Sequence, residues 1–265
     1  MYEGYERLTF ERDGSILTIR ISNPDARNAV DGRMHEELPR AFIEVAGDRD
    51  TRVVVLTGDP QGKAFCAGGD IKWLEKVSDD STAFVQVLRE GYDIIRNMAD
   101  APQPIISMLN GHAMGLGATI ALCSDIQFMS EQARIGDPHV SVGVVAGDGG
   151  AVIWPLLIGP NRAKEYLMTG DAITAADAER MGLVNHVVAP EQLEAETYAL
   201  ARRLAEGPRL AIELTKKSVN LLVRQVIDQV LIGSLALEGL TFNTADHREA
   251  VRAFKAKEKP NFGQG

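Results

Sequence analysis

Ala64-Phe65-Cys66-Ala67-Gly68-Gly69-Asp70-Ile71-Lys72 and Asn110-Gly111-His112-Ala113-Met114-Gly115-Leu116-Gly117-Ala118 are two glycine-rich turns, each following an apolar, β-like run and leading into a predicted helix. A chain that passes from strand to helix through small residues leaves backbone N–H groups unpaired at the helix start, where the helix dipole also favours negative charge. Facing each other, two such turns would polarise one carbonyl and hold the oxyanion or enolate it becomes. Taken singly, each reads more readily as a tight packing corner, and it is the pairing that favours the oxyanion reading. Neither is an ATP-binding loop, because Gly62-Lys63 lacks the preceding spaced glycine and the following Ser or Thr. The second turn lacks the full dinucleotide fingerprint, so NAD finds no support either.

Outward from the turns the pattern is mixed α/β. Residues 8–11 and 16–21 alternate about Asp13-Gly14, which predicts a hairpin. Asp31 caps a predicted helix to about residue 46, with Met34, Leu38, Phe42 and Val45 at helical spacing. Residues 52–57 read as a buried strand, and a helix over 81–98 leads through Pro102 and Pro104 into a strand at 105–109. Residues 125–129 form the next predicted strand. This alternation predicts crossover units and a largely parallel sheet. We divide the chain into a core, 1–190, and a C-terminal helical region, 191–265. In the latter, Leu214, Leu221, Leu222, Leu235 and Leu237 supply more apolar surface than one short bundle needs, for a subunit interface or for docking on its own core.

The 265 residues are 45% hydrophobic, enough for a substantial core, and carry a net charge of -9. That balance argues against a nucleic-acid surface, which needs clustered Lys and Arg. Cys66 and Cys123 make no disulfide framework, and His35, His112, His186 and His247 lack ligand spacing, so no metal is expected. With no apolar leader and no uninterrupted apolar run of spanning length, the expectation is a cytoplasmic protein without a membrane partner.

Asn23-Pro24 with Arg27-Asn28-Ala29, the stretches 63–72, 110–125 and 143–150, Leu167-Met168-Thr169-Gly170 through Ala178, and Gly182-Leu183-Val184 together resemble the enoyl-CoA hydratase/isomerase (crotonase) superfamily in order and spacing. The resemblance implies a core of repeated ββα units, a C-terminal helical region used in trimerisation, and a homotrimer or a hexamer made from two trimers. It also implies an acyl-CoA thioester, with coenzyme A as part of the substrate and no tightly bound cofactor. The two oxyanion-hole amides fall on Gly69 and Leu116. Ala26, Arg27 and Ala29 fall near the pantetheine and phosphates, and Ala67, Asp70 and Ile71 along the adenine and thioester path. Lys63 and Lys72 become phosphate neighbours, and Phe254 and Lys257 match C-terminal positions that reach CoA. For each lysine a solvated surface charge is the alternative.

The acid–base residues depart from the family pattern. Hydratases of this family use two glutamates, and those positions hold Thr119 and His139. Threonine is no base near neutral pH, although its hydroxyl can position a water. In Gly136-Asp137-Pro138-His139 an imidazole replaces a carboxylate, and Asp148 on its second nitrogen would fix the tautomer and raise its basicity. Asp148 also reads as a helix N-cap, and Glu238 as a solvated helix residue. The spacing of His139, Asp148 and Glu238 is similar to the 6-oxocamphor hydrolase branch, which implies retro-Claisen cleavage of a β-dicarbonyl. That branch has a second histidine where Leu116 stands. Three readings follow: an acyl-CoA enzyme with altered acid–base groups, a C–C bond hydrolase using His139 and Asp148, and a non-catalytic acyl-CoA binder.

Overall fold

In the computed structural model, which describes residues 1–78 and 80–263, the predicted apolar runs pair into one six-stranded sheet. The strands are β1 (Leu8–Asp13), β2 (Ile16–Ile21), β3 (Val53–Gly58), β4 (Ile105–Leu109), β5 (Ala113–Met114), β6 (Ile126–Ser130), β7 (Arg134–Gly136), β8 (Ile173–Thr174) and β9 (His186–Val188). The large sheet runs β1-β2-β3-β4-β6-β9, and β5-β7-β8 form a small second sheet. Only β1 and β2 are antiparallel within the large sheet, joined by the expected tight turn with Asp13 opposite Ile16 and Gly14 at φ +57°. The other predicted strands are present, shifted by a residue at β3 and β6.

The helices are α1 (Gly32–Gly47), α2 (Ile71–Ser78), α3 (Ser81–Asp100), α4 (Leu116–Cys123), α5 (Gly150–Ile158), α6 (Pro160–Thr169), α7 (Ala175–Met181), α8 (Leu193–Ala205), α9 (Arg209–Val226), α10 (Ile232–Thr241) and α11 (Ala245–Ala256). Asp31 caps α1 as its sequence predicts, accepting from the Met34 amide at 2.9 Å. Every residue of β3 and β4 is buried, as parallel strands covered on both faces require. Val54 and Leu56 pack with Met34, Leu38 and Phe42 of α1, whereas the alternate Val53 and Val55 pack with Leu193, Ala201 and Ala205 of α8. The C-terminal region therefore supplies one of the sheet's two covers.

A third apolar cluster joins Ile95 of α3 and Val152 of α5 to Ile227, Leu231 and Leu235. Ile227–Leu231 is a π-helical turn between α9 and α10, so the run 209–241 is continuous helix. This run is the one helix among the described residues long and apolar enough to cross a membrane. The sequence expectation missed it because the run's charges sit on one face. Lys216 reaches Asp125 at 2.7 Å and Arg224 pairs with Asp100, which ties that face to the core.

Candidate active site

The two glycine turns meet. Cys66 and Ala113 form a bridge, the Met114 amide donates to the Cys66 carbonyl at 3.0 Å, and a Cβ on Gly68 would stand 2.9 Å from the Met114 carbonyl oxygen. Gly68 has φ +90° and Gly115 φ +51°, conformations that glycine adopts without strain. Val30 donates to the Gly68 carbonyl and accepts from the Asp70 amide, both at 2.8 Å. In that parallel bridge the N–H of Gly69 points away from Val30. Neither the Gly69 nor the Leu116 amide has a protein acceptor among the described residues, and both residues line one cavity.

The small sheet brings the acid–base residue to the same place. Met114 of β5 pairs with Gly136 of β7, and Gly115 donates to the Gly136 carbonyl at 3.0 Å. Leu116 and the segment carrying His139 thus leave adjacent strands side by side. A Cβ on Gly115 would lie 3.4 Å from Cε1 of the His139 ring.

His139 stands between two carboxylates. Its Nδ1–H donates to Asp137, and its Nε2 lies 3.4 Å from an Asp148 oxygen. Asp137 is only 1% exposed, and its second oxygen has no hydrogen-bond partner among the described residues. That oxygen sits against the start of α5, where a Cβ on Gly150 would be 2.3 Å away and the helix dipole favours negative charge. Burial alone would push the imidazole's pKa down, but the charges of Asp137 and Asp148 outweigh it and hold the value well above the ordinary one. The three groups bring ligand-type atoms within 4.8 Å of one another. Each carboxylate is engaged at a different ring nitrogen, so a cation would have to displace one of those contacts.

Asp148 does not cap α5, whose N-cap is Gly149 without a side-chain bond. Glu238 is not solvated. It is 6% exposed, lines the cavity, and has one carboxyl oxygen without a partner among the described residues. A Cβ on Gly147 would strike the Glu238 Cβ at 2.5 Å, so glycine there lets α10 close on the site. Burial, reinforced by the charge of Asp148, pushes the Glu238 carboxyl well above the usual range despite the opposing imidazolium. Thr119 is fully buried and donates to Asp148 at 3.4 Å, so it supports Asp148 from behind rather than holding a water in the cavity.

The cavity is narrow, about 60 Å³, and lies between α1, α2, α3 and α10. Leu74, Phe84, Leu88 and Leu235 make most of its wall apolar, and His35 stands in it as well. Sequence reasoning missed both Asp137 and His35. Asp137 carried a local signal, a carboxylate two residues from a histidine; His35 carried none, since its place depends on how α1 meets α3.

The residues that the resemblance sets near CoA fall in two groups. Arg27 accepts from the Ala67 amide at 3.2 Å, so 26–29 lie beside the first glycine turn, locked by buried Asn28, whose side chain donates to the Asp59 and Ala64 carbonyls. Lys63 follows at the end of the neighbouring 3-10 turn, and the Asp70 carboxylate caps α2 through the Trp73 amide. Ile71 and Phe254 line a second, apolar cleft with Val142 and His139, which places α11 beside α2. Arg27, Lys63, Lys72 and Lys257 are exposed.

This sheet order, the paired glycine turns and the cavity define a crotonase-type α/β protein. The sequence profile of the family described as enoyl-CoA hydratase/isomerase matches residues 11–265, and the chain belongs to that family. It is 33% identical to crotonyl-CoA hydratase of Syntrophomonas wolfei over 97% of this chain and 98% of the relative. Among solved structures it superposes on an enoyl-CoA hydratase/isomerase from Mycobacterium paratuberculosis with TM-score 0.90 and 36% identity, covering 95% and 99% of the two chains. A β-diketone hydrolase from Anabaena sp. PCC 7120, solved with (S)-3-oxocyclohexyl acetic acid, matches with TM-score 0.83 and 33% identity over 89% and 94%.

Proposed function

We propose that this enzyme cleaves a carbon–carbon bond of a β-dicarbonyl acyl-CoA by hydrolysis. The observation that carries the reading is the set His139, Asp148 and Glu238 facing the free amides of Gly69 and Leu116 across one cavity, with no glutamate at either hydratase position. The thioester carbonyl accepts from the two amides. Neutral His139 takes a proton from water, whose oxygen adds to the ketone carbon. The bond between that carbon and the α-carbon then breaks, and its electron pair forms a thioester enolate held by the same amides. A proton from the His139 imidazolium, or from the neutral carboxyl of Glu238, goes to the α-carbon. The products are a carboxylic acid and a shortened acyl thioester.

The β-diketone hydrolase among the structural relatives supports the reaction class, and the names of the hydratase relatives support the thioester. Arg27 and Lys63, beside the first turn, are the cations suited to the phosphates of CoA. The exposed Leu210, Leu214, Leu221, Leu222, Leu237 and Leu240 supply an assembly face for a homotrimer or a pair of trimers. Hydration of an enoyl-CoA is the second reading, favoured by the crotonyl-CoA hydratase relative.

Mass spectrometry separates the readings. Incubation with β-ketoacyl-CoAs, dicarbonyl-CoAs and enoyl-CoAs should yield an acid plus a shortened thioester from the first two. A product heavier by one water from enoyl-CoA alone would refute C–C cleavage. Replacing His139 by Ala should cost about 10²–10⁴-fold in kcat, the usual contribution of a positioned acid–base group.

A further inference from the structure

Where α1 and α3 meet, the cavity wall carries a second ionisable pair. His35 of α1 donates Nδ1–H to Glu90 of α3 at 2.8 Å, and Gln86 donates to the other Glu90 oxygen at 2.9 Å. Burial opposes ionisation of Glu90, but the hydrogen bonds from His35 and Gln86 overcome it and hold the carboxyl below its usual value. An ionised carboxylate only accepts, so Nδ1 is the donor and Nε2 is left for another partner. Nε2 has no protein partner among the described residues and is not among the fully enclosed orphan atoms. It opens onto the cavity beside Gly91, with the Trp73 ring 5.1 Å from its own.

A polar ring held ready in a wall otherwise made by Leu74, Phe84, Leu88 and Leu235 loses hydrogen bonding to water when an aliphatic chain fills the space. A chain with a matching oxygen restores the bond. Resting on the reading that this cavity takes the acyl group, we propose that His35, positioned by Glu90, selects acyl chains bearing a neutral oxygen, hydroxyl or ketone, remote from the thioester. The neutral ring accepts from a hydroxyl at Nε2, and the charged ring donates to a ketone. A carboxylate fits less well, because Asp148 already lines the cavity and the Glu90 carboxylate stands behind His35.

The test is calorimetric titration of His139→Ala protein, whose turnover is slowed by about 10²–10⁴-fold, using plain 3-oxooctanoyl-CoA and analogues with a hydroxyl or ketone at carbon 5, 6 or 7. At least one oxygenated probe should bind about tenfold more tightly than the plain chain. Adding His35→Leu should collapse that ratio, and His35→Gln, which keeps a hydrogen-bonding group, should restore part of it. Equal affinities for all probes, no binding of any, or an undiminished ratio in a folded His35→Leu protein would overturn the proposal. Preference without cleavage by the wild-type enzyme refutes the reaction proposed above and keeps the subsite. Cleavage without preference does the reverse.

Discussion

His139 shares its environment with two carboxylates, and the consequence is a question of proton inventory. Held well above its ordinary value, the ring is an acid at neutral pH and becomes a base only as pH rises. The rate of a reaction that needs the neutral ring should therefore climb on the alkaline side. Asp137→Asn keeps an oxygen for Nδ1–H but removes a charge, so the climb should move down toward about pH 6.5 with a lower plateau. A kcat/KM profile and an NMR titration of the His139 ring read this independently; an unmoved ring titration would show that Asp137 does not tune it. Glu238 gives a stability signature. A carboxyl kept neutral in the fold but free to ionise above about 4.5 when unfolded binds its proton only in the folded state across that window, so stability falls as pH rises. His139, also raised, adds a loss of the same sign above 6.5. Glu238→Gln removes only the first, at most about 1.4 kcal/mol per pH unit. Its melting temperature should gain on wild type as pH rises from 5 to 8. Parallel melting curves across that range would mean Glu238 is ionised in the fold.

At the scale of elements, the site depends on how closely two backbone turns approach. Gly68→Ala places a methyl 2.9 Å from the Met114 carbonyl oxygen at φ +90°, and should cost roughly 1–3 kcal/mol. It should also spread the two amides, so turnover should fall beyond what lost stability explains. Gly14→Ala in the hairpin, at φ +57° with nothing within 4 Å, is the control for backbone strain alone. Equal turnover in the two variants would separate the turns from the chemistry. These turns were legible in the sequence because glycine spacing between an apolar run and a helix is a local signal, as are the Asp31 cap and the buried β3 run. What the sequence hid depends on packing between distant elements. Glu238 reads as an ordinary helix acid until Gly147 lets α10 close on the cavity that Asp148 also lines. His35 reads as one residue of an amphipathic helix until α3 brings Glu90 to it. Thr119 falls at a family catalytic position, yet its hydroxyl is turned to Asp148, a direction no spacing encodes.

For the whole molecule, the open issue is what covers the long C-terminal helix. One face of the run 209–241 is tied to the core by Lys216 and by Ile227, Leu231 and Leu235, and the other exposes Leu214, Leu221, Leu222 and Leu237, each at least half exposed. Soluble chains rarely leave so many leucines in water on one helix. Association with further copies of the chain accounts for the face without removing Lys216 and Arg224 from their buried and half-buried ion pairs, as membrane insertion would. We expect light scattering coupled to size exclusion to give three or six chains per particle. Replacing Leu221 and Leu222 together by Glu should dissociate the particle, because charges brought into an apolar interface are left unpaired. Since α10 carries Glu238 and Leu235 on its cavity side, turnover should fall along with assembly and recover at high protein concentration. A wild-type chain that runs as a monomer in detergent-free buffer would refute this account, and partition into vesicles would point to a membrane in its place.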